Sequence, residues 1–276
     1  NAFCHANLGP RDSRAGRIIL RLTAEMQSPC PNMTLLYRED TPTDYLMAAF
    51  ETAIAAAKPS FANDALYRKD MGNYAVVSCY NVLPIGGCGL TLVRLNMHNL
   101  PKLAKDPEDL LERVIPDAVT AVCDAIDSRV DFIVNECHYY ENTFLYDEGL
   151  IKKEKDYMIG MFGFVGLAEC VNGVLGLEKP EERFGKGKEA DDFGEKIMRR
   201  IKEEIDKRPC PFGKYGLHAQ VGVMEDAGST PGGRIPIGEE PELPFQITNF
   251  IRMHKDCDAG CGELFPCEET VRRNPQ

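Results

Sequence analysis

The sequence predicts an α/β fold. Short apolar runs rich in β-branched residues alternate along the chain with longer runs whose apolar residues recur at helical spacing. With 276 residues, 43% of them hydrophobic, the chain is long enough to bury a substantial core. It contains no internal repeat and no interdomain linker, so we expect a single domain over residues 1–276.

The N-terminal third supplies the first predicted elements. Two apolar runs, residues 17–22 and 33–38, predict buried strands. A helix is expected next, because Thr43 can cap its first turn and Pro59 can end it.

A strand and a glycine-rich stretch follow. Residues 74–79 (YAVVSC) predict a strand that ends at Cys79. Residues 81–89 contain three glycines and predict a loop, because glycine permits the unusual dihedral angles of a tight reversal. Residues 91–96 return to extended character.

Helices dominate the predictions for the next hundred residues. Asp106 and Pro107 form a strong helix start, and residues 157–176 predict a second helix that is rich in glycine. Residues 189–207 predict an amphipathic helix. Short strands are expected near residues 217–224 and 246–253.

Charge and cysteine usage limit the possible partners and the compartment. The net charge is −11, with both signs interspersed, which argues against nucleic acid and anionic membranes as partners. No apolar run approaches the roughly 20 residues of a membrane span, and no signal peptide is visible. Eleven cysteines, an odd number in a long chain, indicate a reducing cytoplasmic location. Both ends of the sequence are expected to be cuts through a longer protein.

Cys79 is the residue with the clearest chemical prediction. The sequence has no His or Lys within several residues of it, so no neighbour along the chain would lower the pKa of its thiol. Such a setting suits a neutral thiol that exchanges hydrogen atoms better than a nucleophilic thiolate. The alternative is an ordinary buried cysteine at a strand end. Cys88, which follows the glycine-rich stretch, is a second candidate for the reactive thiol.

Several short segments together resemble the glycyl radical enzymes, most closely the YjjI family. Four of them follow the order seen in pyruvate formate-lyase-like enzymes: residues 32–39 (NMTLLYRE), 63–68 (NDALYR), 74–79 (YAVVSC) and 92–96 (LVRLN). Residues 162–169 (FGFVGLAE) are similar to a helix of anaerobic ribonucleotide reductases. The YjjI resemblance rests on residues 83–87 (LPIGG), 92–96 and 231–238 (PGGRIPIG). Residues 260–275 look like the stretch that leads into the glycyl radical domain.

The resemblance implies a fold and a mechanism. The fold would be part of a ten-stranded α/β barrel with a finger loop at its centre. Cys79 matches the finger-loop cysteine, which becomes a thiyl radical and abstracts hydrogen from a small substrate. The radical is stored on a backbone glycine, installed by a separate activating enzyme that uses S-adenosylmethionine and an iron–sulfur cluster. The resemblance also implies a homodimer and no cofactor bound by this chain.

Departures from the family pattern bear on activity and substrate. A glycine segment of the type R-V-(T/S)-G-Y does not occur in the sequence and would lie beyond Gln276, so the chain alone is expected to be inactive. Ser78 stands where pyruvate formate-lyase has a second cysteine. Asn81 stands where related dehydratases place a glutamate base, and an amide cannot accept a proton in that role.

Other polar residues are weaker candidates. Asn81, Glu169 and Arg234 are expected to contact the substrate; for Glu169 a structural role, and for Arg234 a surface turn, are the alternatives. A zinc site at His254, Cys257, Cys261 and Cys267 is the alternative to scattered reduced cysteines, although the spacing lacks a Cys-x2-Cys pair. The rival functions are an anaerobic ribonucleotide reductase relative and a non-catalytic subunit that receives its radical domain from another chain.

Overall fold

A computed structural model of the chain describes residues 4–28, 30–56, 58–77, 81–150 and 157–219. These residues form two compact units, which divide between Ile85 and Gly86. Strands and helices alternate along both, so the predicted α/β class is confirmed. The described residues contain eight strands in three sheets, while the ten-stranded barrel and the single domain stay predictions.

The first unit is built on a parallel sheet whose strands lie in the order β1-β2-β3. Its strands are β1 (His5–Leu8), β2 (Asn32–Tyr37) and β3 (Ser60–Asn63). The helices are α1 (Arg14–Met26), α2 (Thr43–Ala56) and α3 (Asp64–Met71). Each connection between neighbouring strands is therefore a strand–helix–strand crossover, the usual way to join parallel strands.

The helices α1 and α2 cover one face of this sheet. The buried side chains between them come from both layers: Leu8, Leu20, Met33, Leu35, Tyr45 and Ala49. Successive residues of a strand point to opposite faces, so His5, Asn7, Thr34 and Ser60 share the other face, as the cross-strand register requires. That second face positions the candidate site.

The strand predicted for residues 17–22 is wrong, because these residues belong to α1. Ser13 caps the helix, and its hydroxyl accepts a 3.0 Å hydrogen bond from the backbone N–H of Gly16. Arg17 is paired with both Asp12 and Asp44. Capping and tertiary contacts thus override the β propensity of the isoleucines in this run.

A β-hairpin completes the first unit. Its strands, β4 (Tyr74–Val77) and β5 (Asn81–Pro84), pair antiparallel. The loop predicted for residues 81–89 is wrong at both ends, since β5 begins at Asn81 and a further strand begins at Cys88. Val82 is buried against β4 and the first sheet, which explains why the stretch is extended despite its glycines.

The second unit contains a parallel sheet in the order β6-β7-β8. Its strands are β6 (Cys88–Asn96), β7 (Met158–Val165) and β8 (Lys214–Ala219). The main helices are α4 (Ile115–Asp131), α7 (Leu167–Leu175) and α8 (Lys188–Lys207). Two short helices, α5 (Tyr139–Asn142) and α6 (Phe144–Asp147), lie between α4 and β7.

Long helices bury the predicted apolar stripes in this unit. Short helical segments adjoin these helices. A helical turn at Pro107–Asp109 and a π-helical turn at Leu110–Val114 precede α4, and a second π-helical turn at Phe132–Glu136 follows it. Two 3-10 turns occupy Met97–Lys102 and Pro180–Glu182. The stripe of α8, which includes Ile197 and Ile201, is fully buried. The helices predicted from Asp106 and over residues 189–207 are therefore confirmed. In the part of the chain that the structure describes, no helix is long and apolar enough to cross a membrane.

The helix predicted for residues 157–176 is wrong in its first half, where β7 lies. Gly160 shows the physical reason. A Cβ atom at this position would come within 2.6 Å of side-chain atoms of both Ile126 and Phe212. The glycine therefore lets neighbouring side chains pack closely against a strand. A glycine-rich apolar sequence is equally compatible with a closely packed helix, so the pattern does not distinguish the two structures.

Candidate functional site

The hairpin β4–β5 flanks Cys79 in the sequence. Cys79 lies outside the described residues, whereas Val77 and Asn81 on either side of it are directly paired across the hairpin. The backbone of Asn81 belongs to β5, and the structure does not describe its side chain. Residues 78–80 thus connect two antiparallel strands whose positions are fixed by the contacts described next.

Asn7 fastens the hairpin to the first sheet. Its side-chain N–H donates a 2.8 Å hydrogen bond to the carbonyl oxygen of Val76, and its side-chain oxygen accepts a 3.0 Å bond from the N–H of Val76. Both polar backbone groups of Val76 are therefore satisfied by one amide. The geometry imitates the pairing of a neighbouring strand, and it holds β4 to β1.

Apolar packing adds to this attachment. Buried side chains from β2, β3, β4 and β5 form one cluster: Leu36, Ala62, Tyr74, Val76 and Val82. The second face of the sheet is thus apolar where the hairpin packs. It is polar elsewhere.

A buried carboxylate anchors the base of the hairpin. Asp64, at the start of α3, is fully buried and accepts a 3.0 Å hydrogen bond from the hydroxyl of Tyr74, the first residue of β4. Nε of Arg68 lies 2.9 Å and Nε of Arg38 3.2 Å from one carboxylate oxygen. A buried charge requires such partners. Burial and the bond to Asp64 raise the pKa of the Tyr74 hydroxyl, so the phenol keeps its proton.

A row of three polar side chains crosses the sheet beside Asn7. Nε2 of His5 lies 3.0 Å from the hydroxyl oxygen of Thr34, which lies 2.7 Å from the hydroxyl oxygen of Ser60. The three residues come from β1, β2 and β3 in turn. Thr34 is 1% exposed. We call His5, Thr34 and Ser60 the polar row.

In the second unit, Glu169 is buried at the start of α7, just after β7. The turn before it is made by Gly166, which has a positive φ of 81°. A Cβ atom on Gly166 would lie 3.5 Å from Oε2 of Glu169 and 3.2 Å from the backbone nitrogen of His98. Glu169 thus sits near the carboxyl ends of β6 and β7, where open parallel sheets commonly bind ligands.

Cys88, the second candidate thiol, begins β6 in the same unit. Its sulfur lies 3.4 Å from the hydroxyl oxygen of Tyr139. The ring of Tyr139 packs edge-on against Tyr140, and Tyr140 contacts Tyr146. Cys88 is therefore hydrogen-bonded at the edge of an aromatic cluster.

The remaining predicted residues fall outside the described part of the chain. They are Arg234 and the four candidate zinc ligands, His254, Cys257, Cys261 and Cys267. Within the described ranges, no group of three His, Cys, Asp or Glu side chains is arranged to hold a metal ion.

Sequence reasoning missed the polar row, Asn7 and the carboxylate anchor. A signal was present, because His5, Asn7 and Thr34 interrupt otherwise apolar strand sequences at alternating positions. Polar residues on one face of a covered parallel strand are unusual and indicate a use for that face.

Comparison with known proteins identifies the family. The family described as "Glycyl radical enzyme YjjI-like" matches residues 1–276. The chain belongs to the YjjI-like glycyl radical enzyme family. The resemblance stated from the sequence motifs is thereby confirmed.

Two curated relatives support this assignment. The protein called "Uncharacterized protein YjjI" of Escherichia coli K12 is 37% identical over 282 residues, which cover all of this chain and 54% of the relative. An uncharacterized protein of Haemophilus influenzae Rd is 37% identical over 280 residues, 98% of this chain and 54% of its own length. The chain thus spans about half the length of the curated relatives it matches.

A solved structure shows the same fold at low sequence identity. The anaerobic ribonucleotide reductase of Thermotoga maritima, with citrate in its active site, has a TM-score of 0.66 and is 16% identical. The match covers 94% of this YjjI-like chain and 51% of the reductase. The likeness establishes that the α/β fold is that of glycyl radical enzymes.

Proposed function

We propose that this chain carries the reactive cysteine of a glycyl radical enzyme and that Cys79 is that cysteine. In the proposed reaction a glycyl radical takes the hydrogen atom of the Cys79 thiol, which leaves a thiyl radical. The thiyl radical then takes a hydrogen atom from a C–H bond of a small substrate and becomes a thiol again. Each step breaks one bond to hydrogen and forms one, so no external electron is needed.

The observation that carries the proposal is the hairpin. Its register pairs Val77 with Asn81, so that Cys79 is the middle residue of the three that connect two paired strands. The hairpin is held by Asn7 at Val76 and by Asp64 at Tyr74. A radical cysteine must stay in one place while hydrogen atoms move over short distances, and rigidly held flanking strands serve that need.

We further propose the partners of the reaction. Asn81, Glu169 and Arg234 are candidate substrate contacts, with Arg234 suited to an anionic group. The radical glycine lies in a segment outside these 276 residues, and a radical S-adenosylmethionine enzyme generates the radical. The finger loop and the ten-stranded barrel, the homodimer, and an oxygen-free cytoplasmic setting are parts of the same proposal.

Deuterium exchange tests the role of Cys79 without knowledge of the substrate. The protein that carries the radical glycine is activated anaerobically in D2O and followed by electron paramagnetic resonance. Thiol protons exchange with water, so reversible transfer between the thiol and the glycyl radical carries deuterium to the glycine α-carbon. The splitting from the α-hydrogen should then collapse in the wild type and persist in Cys79→Ser.

Cys88→Ser is the matched control, because Cys88 is the rival thiol in the described part of the chain. We expect this variant to exchange deuterium as the wild type does. Exchange that persists in Cys79→Ser and stops in Cys88→Ser would assign the reactive thiol to Cys88 instead.

A further inference from the structure

The helix α1 exposes its apolar side chains. Four of them are between 37% and 70% exposed: Ile18, Ile19, Leu22 and Met26. The turn of an α-helix places these four residues within about 100° of one another around the helix axis, so they form a single stripe. We call these four residues the α1 stripe. The residues that α1 buries, Gly16 and Leu20, lie on a different side of the helix.

The outward position of this stripe is unusual for a helix of a soluble monomer. An amphipathic helix normally turns its apolar side chains to the core and its charged side chains to solvent. In α1 the side that faces the core contributes one large apolar side chain, Leu20, to the buried cluster. Contiguous exposed apolar side chains mark surfaces that another polypeptide covers. The α1 stripe is therefore a candidate docking surface.

The charges beside the stripe fit a second copy of the same helix. Arg14 and Glu25 lie on the same flank of the stripe and near its opposite ends. When two such helices pack antiparallel about a two-fold axis, each flank of one helix faces the same flank of the other. Arg14 then lies opposite the partner's Glu25 when Ile18 lies opposite the partner's Leu22. The registers that centre these two pairings differ by about 1.5 Å, the rise of one residue.

Both charges are accessible for this pairing. Arg14 and Glu25 are exposed residues. Glu25 lies 3.8 Å from Arg21 of its own helix, and 61% of its side chain is exposed, so its carboxylate can accept a second cation. Arg17, in contrast, is engaged within the chain by Asp12 and Asp44.

The exposed apolar residues of α2 lack this self-complementarity. Three of them lie on one side of the helix: Met47, Phe50 and Ile54. The charged residues of α2 are Asp44 and Glu51, and its sequence contains no lysine or arginine. Two copies of α2 would therefore bring like charges together. This helix provides the control surface for the experiment.

We propose that two copies of this chain associate through antiparallel α1 helices. The two-fold contact sets Ile18 against the partner's Leu22 and Arg14 against the partner's Glu25. The inference rests on the proposed function in one respect, because it names the surface that forms the homodimer included there. A contact of one helix from each copy is small, so the association is weak and depends on concentration.

Sedimentation equilibrium of the 276-residue chain tests the inference. Over about 5–500 μM protein we expect a reversible monomer–dimer equilibrium with a dissociation constant of about 10–100 μM, as suits a small interface. Leu22→Glu should weaken association at least about tenfold, because it places a charge in an apolar contact. Leu22 is 42% exposed within one chain, so this variant should keep its fold, which circular dichroism checks.

Ile54→Glu is the matched control. It introduces the same charge at an apolar residue that is 62% exposed, but on α2. This variant should associate as the wild type does. Equal losses in Leu22→Glu and Ile54→Glu, or wild-type association in Leu22→Glu, would overturn the inference. A chain that stays monomeric at every concentration would also overturn it and would assign the α1 stripe to a different polypeptide.

A charge exchange tests the antiparallel geometry. Arg14→Glu and Glu25→Arg should each weaken association about threefold to tenfold, since each sets like charges opposite one another. Both changes place a charge at the helix end where the helix dipole favours it, so neither should destabilise α1. The double variant Arg14→Glu/Glu25→Arg should regain the affinity of the wild type. If the double variant associates as weakly as the single variants, the antiparallel pairing is wrong.

The two proposals fail separately. Sedimentation needs no radical, and deuterium exchange needs no contact between α1 helices. If Cys79 carries exchange while Leu22→Glu associates as the wild type does, only the α1 interface is wrong. If the α1 variants behave as expected while Cys79→Ser still exchanges deuterium, the proposed function is wrong.

Discussion

The hydroxyl of Tyr74 donates a 3.0 Å hydrogen bond to the buried carboxylate of Asp64. This bond joins the first residue of β4 to the first residue of α3. The two residues are ten positions apart, and the rest of α3 lies between them. The bond therefore closes a loop at the base of the hairpin.

Removal of this hydroxyl should destabilise the first unit. Tyr74→Phe leaves Asp64 paired with Arg68 and Arg38 but deletes one hydrogen bond to a buried charge. We expect a loss of about 2 kcal/mol in the free energy of unfolding, measured by urea denaturation.

Tyr45→Phe provides the comparison for that measurement. Tyr45 is as buried as Tyr74, but its hydroxyl has no hydrogen-bond partner among the residues that the structure describes. Its removal should not destabilise the protein and should raise the free energy of unfolding by about 1 kcal/mol, because the cost of burying an unpaired hydroxyl is relieved. Equal losses in the two variants would contradict the role assigned to the Asp64–Tyr74 bond.

Loss of the Asn7 amide should loosen the hairpin. Asn7→Ala leaves the N–H and C=O of Val76 without their side-chain partner. We expect the amide of Val76 to exchange with solvent deuterium at least about tenfold faster, since a lost pair of hydrogen bonds costs about 1–3 kcal/mol. Hydrogen exchange followed by NMR measures this. Unchanged protection of Val76 would show that packing alone holds β4.

Buried thiols should resist alkylation. Burial raises the pKa of the Cys170 thiol to about 12 and that of Cys123 to about 11. Because the thiolate is the reactive form, iodoacetamide at pH 8.5 should label the exposed Cys30 and Cys137 and leave both buried thiols unmodified. Mass spectrometry of the native protein checks this, with protein in urea as the fully labelled reference.

The same thiols should make stability fall with rising pH. Below the ordinary thiol pKa near 9, the folded and unfolded states both hold the proton, and the shift contributes nothing. Above pH 9 the unfolded chain releases the Cys170 proton while the folded state retains it up to about pH 12. Unfolding is then favoured by at most about 1.4 kcal/mol per pH unit. Cys170→Ala should flatten this slope between pH 9 and 11.

Two glycines that bracket α7 should differ in their tolerance of alanine. Gly166 and Gly176 both have positive φ, so alanine is strained at either position by about 1–2 kcal/mol. At Gly166 the added methyl also meets the backbone nitrogen of His98 and the carboxylate of Glu169, whereas at Gly176 nothing lies within 4 Å. Gly166→Ala should therefore lower the melting temperature more than Gly176→Ala.

Local sequence patterns predicted the parts of the fold in which one periodicity dominates. The stripe of α8, with Ile197 and Ile201 four residues apart, allows only a helix. Residues 17–22 carry β-branched side chains, and their helix depends on the cap at Ser13 and on Arg17 pairing with Asp44, a residue 27 positions away. Such a distant contact is invisible to a local pattern.

The same distinction between local patterns and distant contacts decides which parts of the candidate site could be predicted from the sequence. The motif that includes Cys79 could be recognised because its residues are consecutive in the sequence. The polar row could not be, since His5, Thr34 and Ser60 are brought together only when three strands align in one register. Asp64 and Tyr74 were both inside quoted motifs, but their bond depends on the return of the chain after α3.

The amide of Asn7 has one more consequence, for the solubility of the protein. The N–H and C=O of Val76 are the groups that an additional strand would use to extend the hairpin. With both occupied by Asn7, that position of β4 cannot template pairing with another polypeptide. A side chain thus closes this edge of β4 in place of a further strand, and we expect Asn7→Ala to make the edge available for strand addition and so to favour aggregation.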